Sequence, residues 1–160
     1  MRKFVDFLNE IAGILYVGGI LSHIVLGATV GSPDPQTAVT VYTYKELSAY
    51  ILILPGLGLK LVCDLTLWFG YGVRANWMKV KLVLMAFLTI NAFVFLVPMI
   101  PELRAMAEAS IPDGVLPEEF HELEAREALV GMSNALPLAL ELILGAFKPR
   151  LFGERRIAAA

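Results

Sequence analysis

The sequence predicts an all-α integral membrane protein, a single-domain four-helix bundle, and three observations carry that prediction. The composition is too apolar for an ordinary soluble domain: 58% of the 160 residues are hydrophobic and 18% are charged, against about 45–50% and about 25% in typical globular chains. The mean hydropathy of +0.69 agrees. The apolar residues gather into four stretches, each near the roughly 20 residues that cross a bilayer core. Basic and acidic residues then alternate from one connection to the next.

The first span is expected over residues 4–30. Arg2 and Lys3 give it the start of a signal peptide, but Asp6 and Glu10 interrupt the apolar run and no A-x-A site follows, so it reads as a retained span. After the turn-rich "GSPDPQT" the second span covers residues 47–69, with Pro55 expected to kink it. "GYGVRAN" leads to the third span, residues 77–100, which Pro98 and Pro101 close. The long connection "PELRAMAEASIPDGVLPEEFHELEARE" contains a turn signal, "IPDG", and helix formers over residues 117–126 that predict a surface helix capping the bundle. The fourth span covers residues 127–147, with Pro137 inside it. Gly18, Gly19, Gly27, Gly56 and Gly58 are placed for close helix approach, and Trp68, Tyr71 and Trp77 form an aromatic belt at one interface. No repeat or low-complexity tract divides the chain.

Loop charges orient the spans. Arg2, Lys3, Arg74, Lys79, Lys148, Arg150, Arg155 and Arg156 fall on one side of a four-span chain. The third connection instead carries Glu102, Glu108, Asp113, Glu118, Glu119, Glu122, Glu124 and Glu127 against two arginines. Both termini are therefore expected in the cytoplasm and the acidic loop outside. A net charge of -2 excludes a basic nucleic-acid surface. Cys63, the single cysteine, excludes an intramolecular disulfide and any CxxC motif.

Charged residues inside the spans are the functional signal. At about 1.5 Å per residue, Lys60 lies near the midplane, Asp64 and Glu10 about 9 Å toward the cytoplasm, Glu141 about 5 Å and Lys81 about 13 Å. All four spans thus send an ionisable group into the inner half of the bilayer. Lys60 and Asp64, four apart, share a helix face and are expected to pair within one helix. Asn134, Glu141 and Lys148 repeat by sevens, and Asn9 and His23, fourteen apart, share a face of the first span. A charge facing lipid costs at least about 2.5–3.5 kcal/mol, so these stripes should converge on the interior. Glu10, Lys60, Asp64 and Glu141 are the candidate catalytic or proton-carrying groups, and Glu141, without a partner in its own span, is the favoured proton carrier. His23, Lys81 and Asn134 are the candidate cofactor-binding residues. His23 reads first as a hydrogen-bonded packing residue, and with His121 in the acidic loop it makes a poor axial haem pair. Copper held by His23 with Met85, Met99 or Met132 is the metal alternative, since thioethers suit Cu(I), but gap-filling is the commoner role of methionine, and no metal site is assigned.

Three stretches, "LNEIAGILYVGGIL", "NWMKVKLVLMAFL" and "MSNALPLALELILGAFKP", resemble a superfamily of small four-span bacterial membrane proteins. It includes HemJ-type protoporphyrinogen oxidases, CopD-type copper proteins and uncharacterised relatives, and "LPGLGL" is similar to that last branch. The resemblance implies a bacterial inner-membrane bundle, a redox activity on a porphyrinogen- or quinol-like substrate, and haem b. Lys81 falls where the HemJ type keeps a lysine, and Asn134–Pro137 with Lys148–Pro149 resembles its ending. Asn9, however, stands where that type has its first-span histidine, and Lys79 where it has a second, which argues against haem b. Two other classes stay open. A proton- or metal-linked transporter with so few spans needs a homo-oligomer, and a non-catalytic subunit or scaffold would use the acidic loop to contact a membrane partner.

Overall fold

The computed structural model describes residues 1–151, so the expectations placed on Arg155 and Arg156 lie outside the described residues. Among the described residues, four helices are long and apolar enough to cross a membrane: α1 (Arg2–Val30), α2 (Pro35–Gly70), α3 (Asn76–Ala109) and α4 (Glu118–Phe147). Large side chains such as Phe4, Ile14, Ile24, Ile51, Val83, Phe93 and Leu136 face outward, a surface that suits lipid and would be a liability in water.

Three of the four helices extend beyond the residues expected of them. With 36 residues, α2 is about 54 Å long, against about 30 Å of hydrocarbon. Its start comes at Pro35, because the Asp34 carboxylate accepts the Thr37 N–H at 2.6 Å and Pro35 occupies the first turn. That same bond holds the exposed Asp34 carboxyl below the usual carboxylate range. At the far end of the chain's longest connection, α3 continues through Pro101 to Ala109 and α4 already begins at Glu118. The expected capping helix is therefore the first part of α4, and the connection itself shortens to residues 110–117.

Three buried layers stack along the bundle. At the acidic end, Ala38, Val41, Tyr42, Ile100, Leu103, Ala107 and Phe120 form one core from the start of α2, the end of α3 and the start of α4. Tyr16, Leu57, Met85, Leu88 and Leu138 form the middle layer. Leu67, Trp77, Met78 and Leu144 form the third, at the basic end where α1 and α3 start and α2 and α4 finish.

Prolines are accommodated by wider helical turns. Pro55 follows a π-helical segment, Ala49–Ile53, in which the Leu54 N–H reaches back to the Ala49 carbonyl; Pro98 follows Asn91–Leu96, where the Val97 N–H bonds the Ala92 carbonyl. The proline ring has no N–H and collides with the carbonyl four residues earlier, and a π turn shifts the register by the residue needed. At Pro137 the regular helix is interrupted at Asn134 instead.

Only some of the glycines serve close approach. A Cβ on Gly56 would lie 2.7 Å from the Tyr16 nitrogen and 2.9 Å from the Ala12 carbonyl oxygen, so α1 and α2 touch backbone to backbone there. Gly19 also packs tightly, against Ile53, whereas Gly18, Gly27 and Gly58 face open space. Overpacking costs about 1–3 kcal/mol and exceeds the roughly 0.5–1 kcal/mol gained by replacing a helical glycine. Gly56→Ala should therefore lower the melting temperature of the protein in nanodiscs, and Gly58→Ala should leave it unchanged or raise it. Equal effects at the two positions would refute the backbone contact.

Candidate functional site

Near the basic end, four helices deliver polar side chains to one buried network. Asp64 of α2 is fully buried, and its Oδ1 accepts from Asn9 Nδ2 at 2.6 Å and from Lys81 Nζ at 2.7 Å. Lys60, one turn earlier on α2, donates to Asn9 Oδ1 at 2.9 Å. Glu141 of α4, also fully buried, lies 3.4 Å from Lys60 Nζ and 3.3 Å from Lys81 Nζ through Oε1, and its Oε2 accepts from the Tyr16 hydroxyl at 3.0 Å. Gly13 leaves the space that the Lys60 ammonium fills: a Cβ there would sit 3.4 Å from Nζ.

The network differs from the sequence expectation in its pairings. Lys60 and Asp64 do not pair along their helix; Asp64 pairs with Lys81 and Asn9, and Lys60 with Asn9 and Glu141. The reason is that Asn9, on the facing helix, presents a donor and an acceptor at once and takes both α2 side chains. Glu141 is not alone, since it meets two lysines and a tyrosine. Glu10, expected inside, points outward and is exposed, because Asn9 occupies the interior position beside it; it lines the rim of a cavity instead.

The other candidates lie apart. His23 is half-buried, with Nε2 2.5 Å from Ser48 Oγ of α2, well along α1 toward the acidic end. Asn134 accepts from Asn91 Nδ2 at 2.7 Å and so joins α3 to α4. Met85 and Met99 fill the core and Met132 is exposed. Among the described residues, no three His, Cys, Asp or Glu side chains converge as metal ligands.

The sequence reading misses one member of the network and a second buried charge pair at the acidic end. Tyr16 stands seven residues from both Asn9 and His23, so the repeat 9, 16, 23 marked it. Lys45 and Glu127, read as loop charges, form a buried pair at 2.7 Å between α2 and α4, with the Lys45 ammonium 4.7 Å from the Tyr42 ring and the Tyr42 hydroxyl donating to Glu124 and Glu127. Only the unforeseen length of α2 and α4 brings them together.

Below the network, toward the basic end, a cavity of about 220 Å³ is lined by Arg2, Asp6, Asn9, Glu10, Lys60, Trp77, Met78, Lys81 and Lys148 among others. The ionisable groups of cavity and network balance: Arg2, Lys60, Lys81 and Lys148 against Asp6, Glu10, Asp64 and Glu141. Two carboxylate oxygens, Asp64 Oδ2 and Glu141 Oε1, are buried without a hydrogen-bond donor. Glu141 Oε1 nevertheless lies within 3.4 Å of both lysine ammonium groups, so its charge is countered there without an aligned hydrogen bond.

Comparison with protein families, curated proteins and solved structures finds no match. Haem b, implied by the resemblance described above, does not fit these side chains. Asn9 holds the position expected of the ligating histidine, and both ends of its amide are engaged; His23 is committed to Ser48, and His121 lies on the exposed flank beside Glu124. The purified protein should therefore show no stoichiometric Soret band, oxidised or dithionite-reduced. A Soret band at about one haem per chain would reverse this and make His23 the first ligand to test.

Removing one member of a buried ion pair strands its partner, at about 3–5 kcal/mol. Asp64→Ala, which takes away the 2.7 Å partner of Lys81 and leaves two buried lysines against Glu141 alone, should destabilise the protein by about that amount in reversible denaturation from mixed micelles. Combining Asp64→Leu with Lys81→Met should recover most of the loss. A single variant as stable as the parent would mean that the network does not hold the bundle.

Proposed function

We propose that this chain is a bacterial inner-membrane oxidoreductase of the quinol-linked kind, with its basic end in the cytoplasm and with the Asn9–Lys60–Asp64–Lys81–Glu141 network exchanging protons with a ligand in the cavity. The observation that carries the reading is that Asn9, Lys60 and Lys81 line the cavity while the two carboxylates they pair with, Asp64 and Glu141, are fully buried behind them, each with one oxygen lacking a hydrogen-bond donor. Intramembrane ionisable groups are costly, and their usual return is a ligand or proton site.

Size and charge support a small neutral head. Drug-sized sites occupy about 300–1,000 Å³; a cavity of about 220 Å³ takes one substituted ring and not a tetrapyrrole. A site whose charges balance favours a neutral head over an anion. A quinol head in the cavity meets Lys60 and Lys81 on its wall, with the buried Glu141 paired behind them, and the quinone formed has carbonyls that accept from both lysines. Oxidation to the quinone releases two electrons and two protons: a haem- or iron–sulfur-bearing partner protein of the membrane takes the two electrons, and the two protons leave to water at the cavity mouth, where Asp6 and Glu10 line the wall.

Trp77 on the cavity wall reports binding. In a Trp68→Phe background a tail-less benzoquinone should quench Trp77 fluorescence saturably, and Lys60→Met should weaken the apparent affinity about tenfold. Quenching that never saturates and ignores Lys60 would refute the site. It would move attention to the exposed acidic surface of Glu102, Glu108, Asp113, Glu118, Glu119 and Glu122, the contact surface expected of a scaffold.

A further inference from the structure

The bundle is not closed evenly around its axis. α1 packs tightly on α2, α2 meets α3, and α3 packs along α4, whereas α1 and α4 make little backbone contact. Across that seam the Tyr16–Glu141 hydrogen bond supplies the polar closure, backed by Lys60 of α2, which pairs with the same carboxylate. A second cavity of about 200 Å³ opens there, lined by Glu10, Gly13, Ile14, Val17, Lys60 and Leu142. Ile14 is 69% exposed and Leu142 37%, so the outer edge of this cavity faces the surface that suits lipid. Its inner edge is the buried Lys60, which also lines the first cavity, as do Glu10 and Leu142.

We propose that the α1–α4 seam is a lateral portal through which a lipid-dissolved quinone or quinol places its head on Lys60 while its apolar tail stays in the bilayer. This rests on the functional reading above and adds the route and the tail. The lining decides the occupant. Gly13, Ile14, Val17 and Leu142 offer an apolar passage with no group to bind a polar chain. The one cation lining this cavity among the described residues, Lys60, is already faced by Glu141, and Glu10 lines the same cavity, so a fatty-acid carboxylate or lipid phosphate would have to compete with resident carboxylates for that ammonium. A neutral carbonyl accepts a hydrogen bond from Lys60 without that competition. The seam also explains why so polar a residue pair as Tyr16 and Glu141 joins helices that otherwise hardly touch.

The test closes the seam reversibly. Ile14→Cys and Leu142→Cys are introduced with Cys63→Ala, and the full chain in nanodiscs is joined by a cleavable bismaleimide. Trp77 quenching is then measured with a decyl-tailed benzoquinone, with the same head lacking its tail, and with decanoate as competitor. Cross-linking should weaken the tailed quinone about tenfold, cleavage of the linker should restore it, and the tail-less head should bind equally throughout by way of the basic-end cavity. Tailed and tail-less probes that respond alike to the cross-link, both retained or both lost, would overturn the portal while leaving the cavity reading standing. Decanoate displacing the tailed quinone at equal concentration would overturn the neutral occupant. Failure of either quinone to bind the uncross-linked protein would remove the functional reading itself.

Discussion

Asp64 Oδ1 accepts from Asn9 on α1 and from Lys81 on α3, so a single oxygen on α2 joins three helices inside the apolar interior. Glu141 brings in the fourth through the same Lys81. Helices in lipid gain nothing from hydrophobic burial against one another, since lipid tails are equally apolar, and close packing and polar contacts decide how they associate. Here the polar contacts are also charged. Each ion would cost several kcal/mol if left unmatched, so the rotation of all four helices about their axes is tied to one point. The backbone contact at Gly56 and the three buried layers are compatible with that rotation and make it rigid.

The two ends of the bundle use buried charge differently. At the acidic end, Lys45 and Glu127 meet with both carboxylate oxygens taken by the ammonium and the Tyr42 hydroxyl close by. That pair is saturated and surrounded by a well-filled apolar core, which suits a structural role. At the basic end, two carboxylate oxygens lack donors and a cavity adjoins the lysines that pair with them. The contrast within one molecule is what singles out the second cluster as a site.

Much of this was legible from spacing. The four apolar stretches gave the helices, and the sevenfold stripe Asn134–Glu141–Lys148 placed Glu141 inward, because a helical period and the cost of charge in lipid leave few alternatives. Pairing was less legible. The i,i+4 relation of Lys60 and Asp64 suggested a bond that the structure does not contain, since helix spacing says which side chains are neighbours and not which facing helix competes for them. Glu10 was misplaced for a related reason: depth alone put it level with Asp64, whereas its angle around α1 turns it outward by one position from Asn9. The extra length of α2, α3 and α4 escaped hydropathy because those extensions are amphipathic, and hydropathy responds to lipid rather than to the core that residues such as Phe120 and Leu103 build at the acidic end.

The position of Asn9 has a consequence for the order in which the chain is made. Lys60 and Asp64 leave the ribosome before Lys81 and Glu141 exist, and each charge adds about 2.5–3.5 kcal/mol to the cost of inserting their helix. Asn9 has already been synthesised by then, and its amide offers one partner to each. The α1–α2 hairpin can thus hold both charges from the start, and α3 and α4 add Lys81 and Glu141 to bonds that Asn9 keeps.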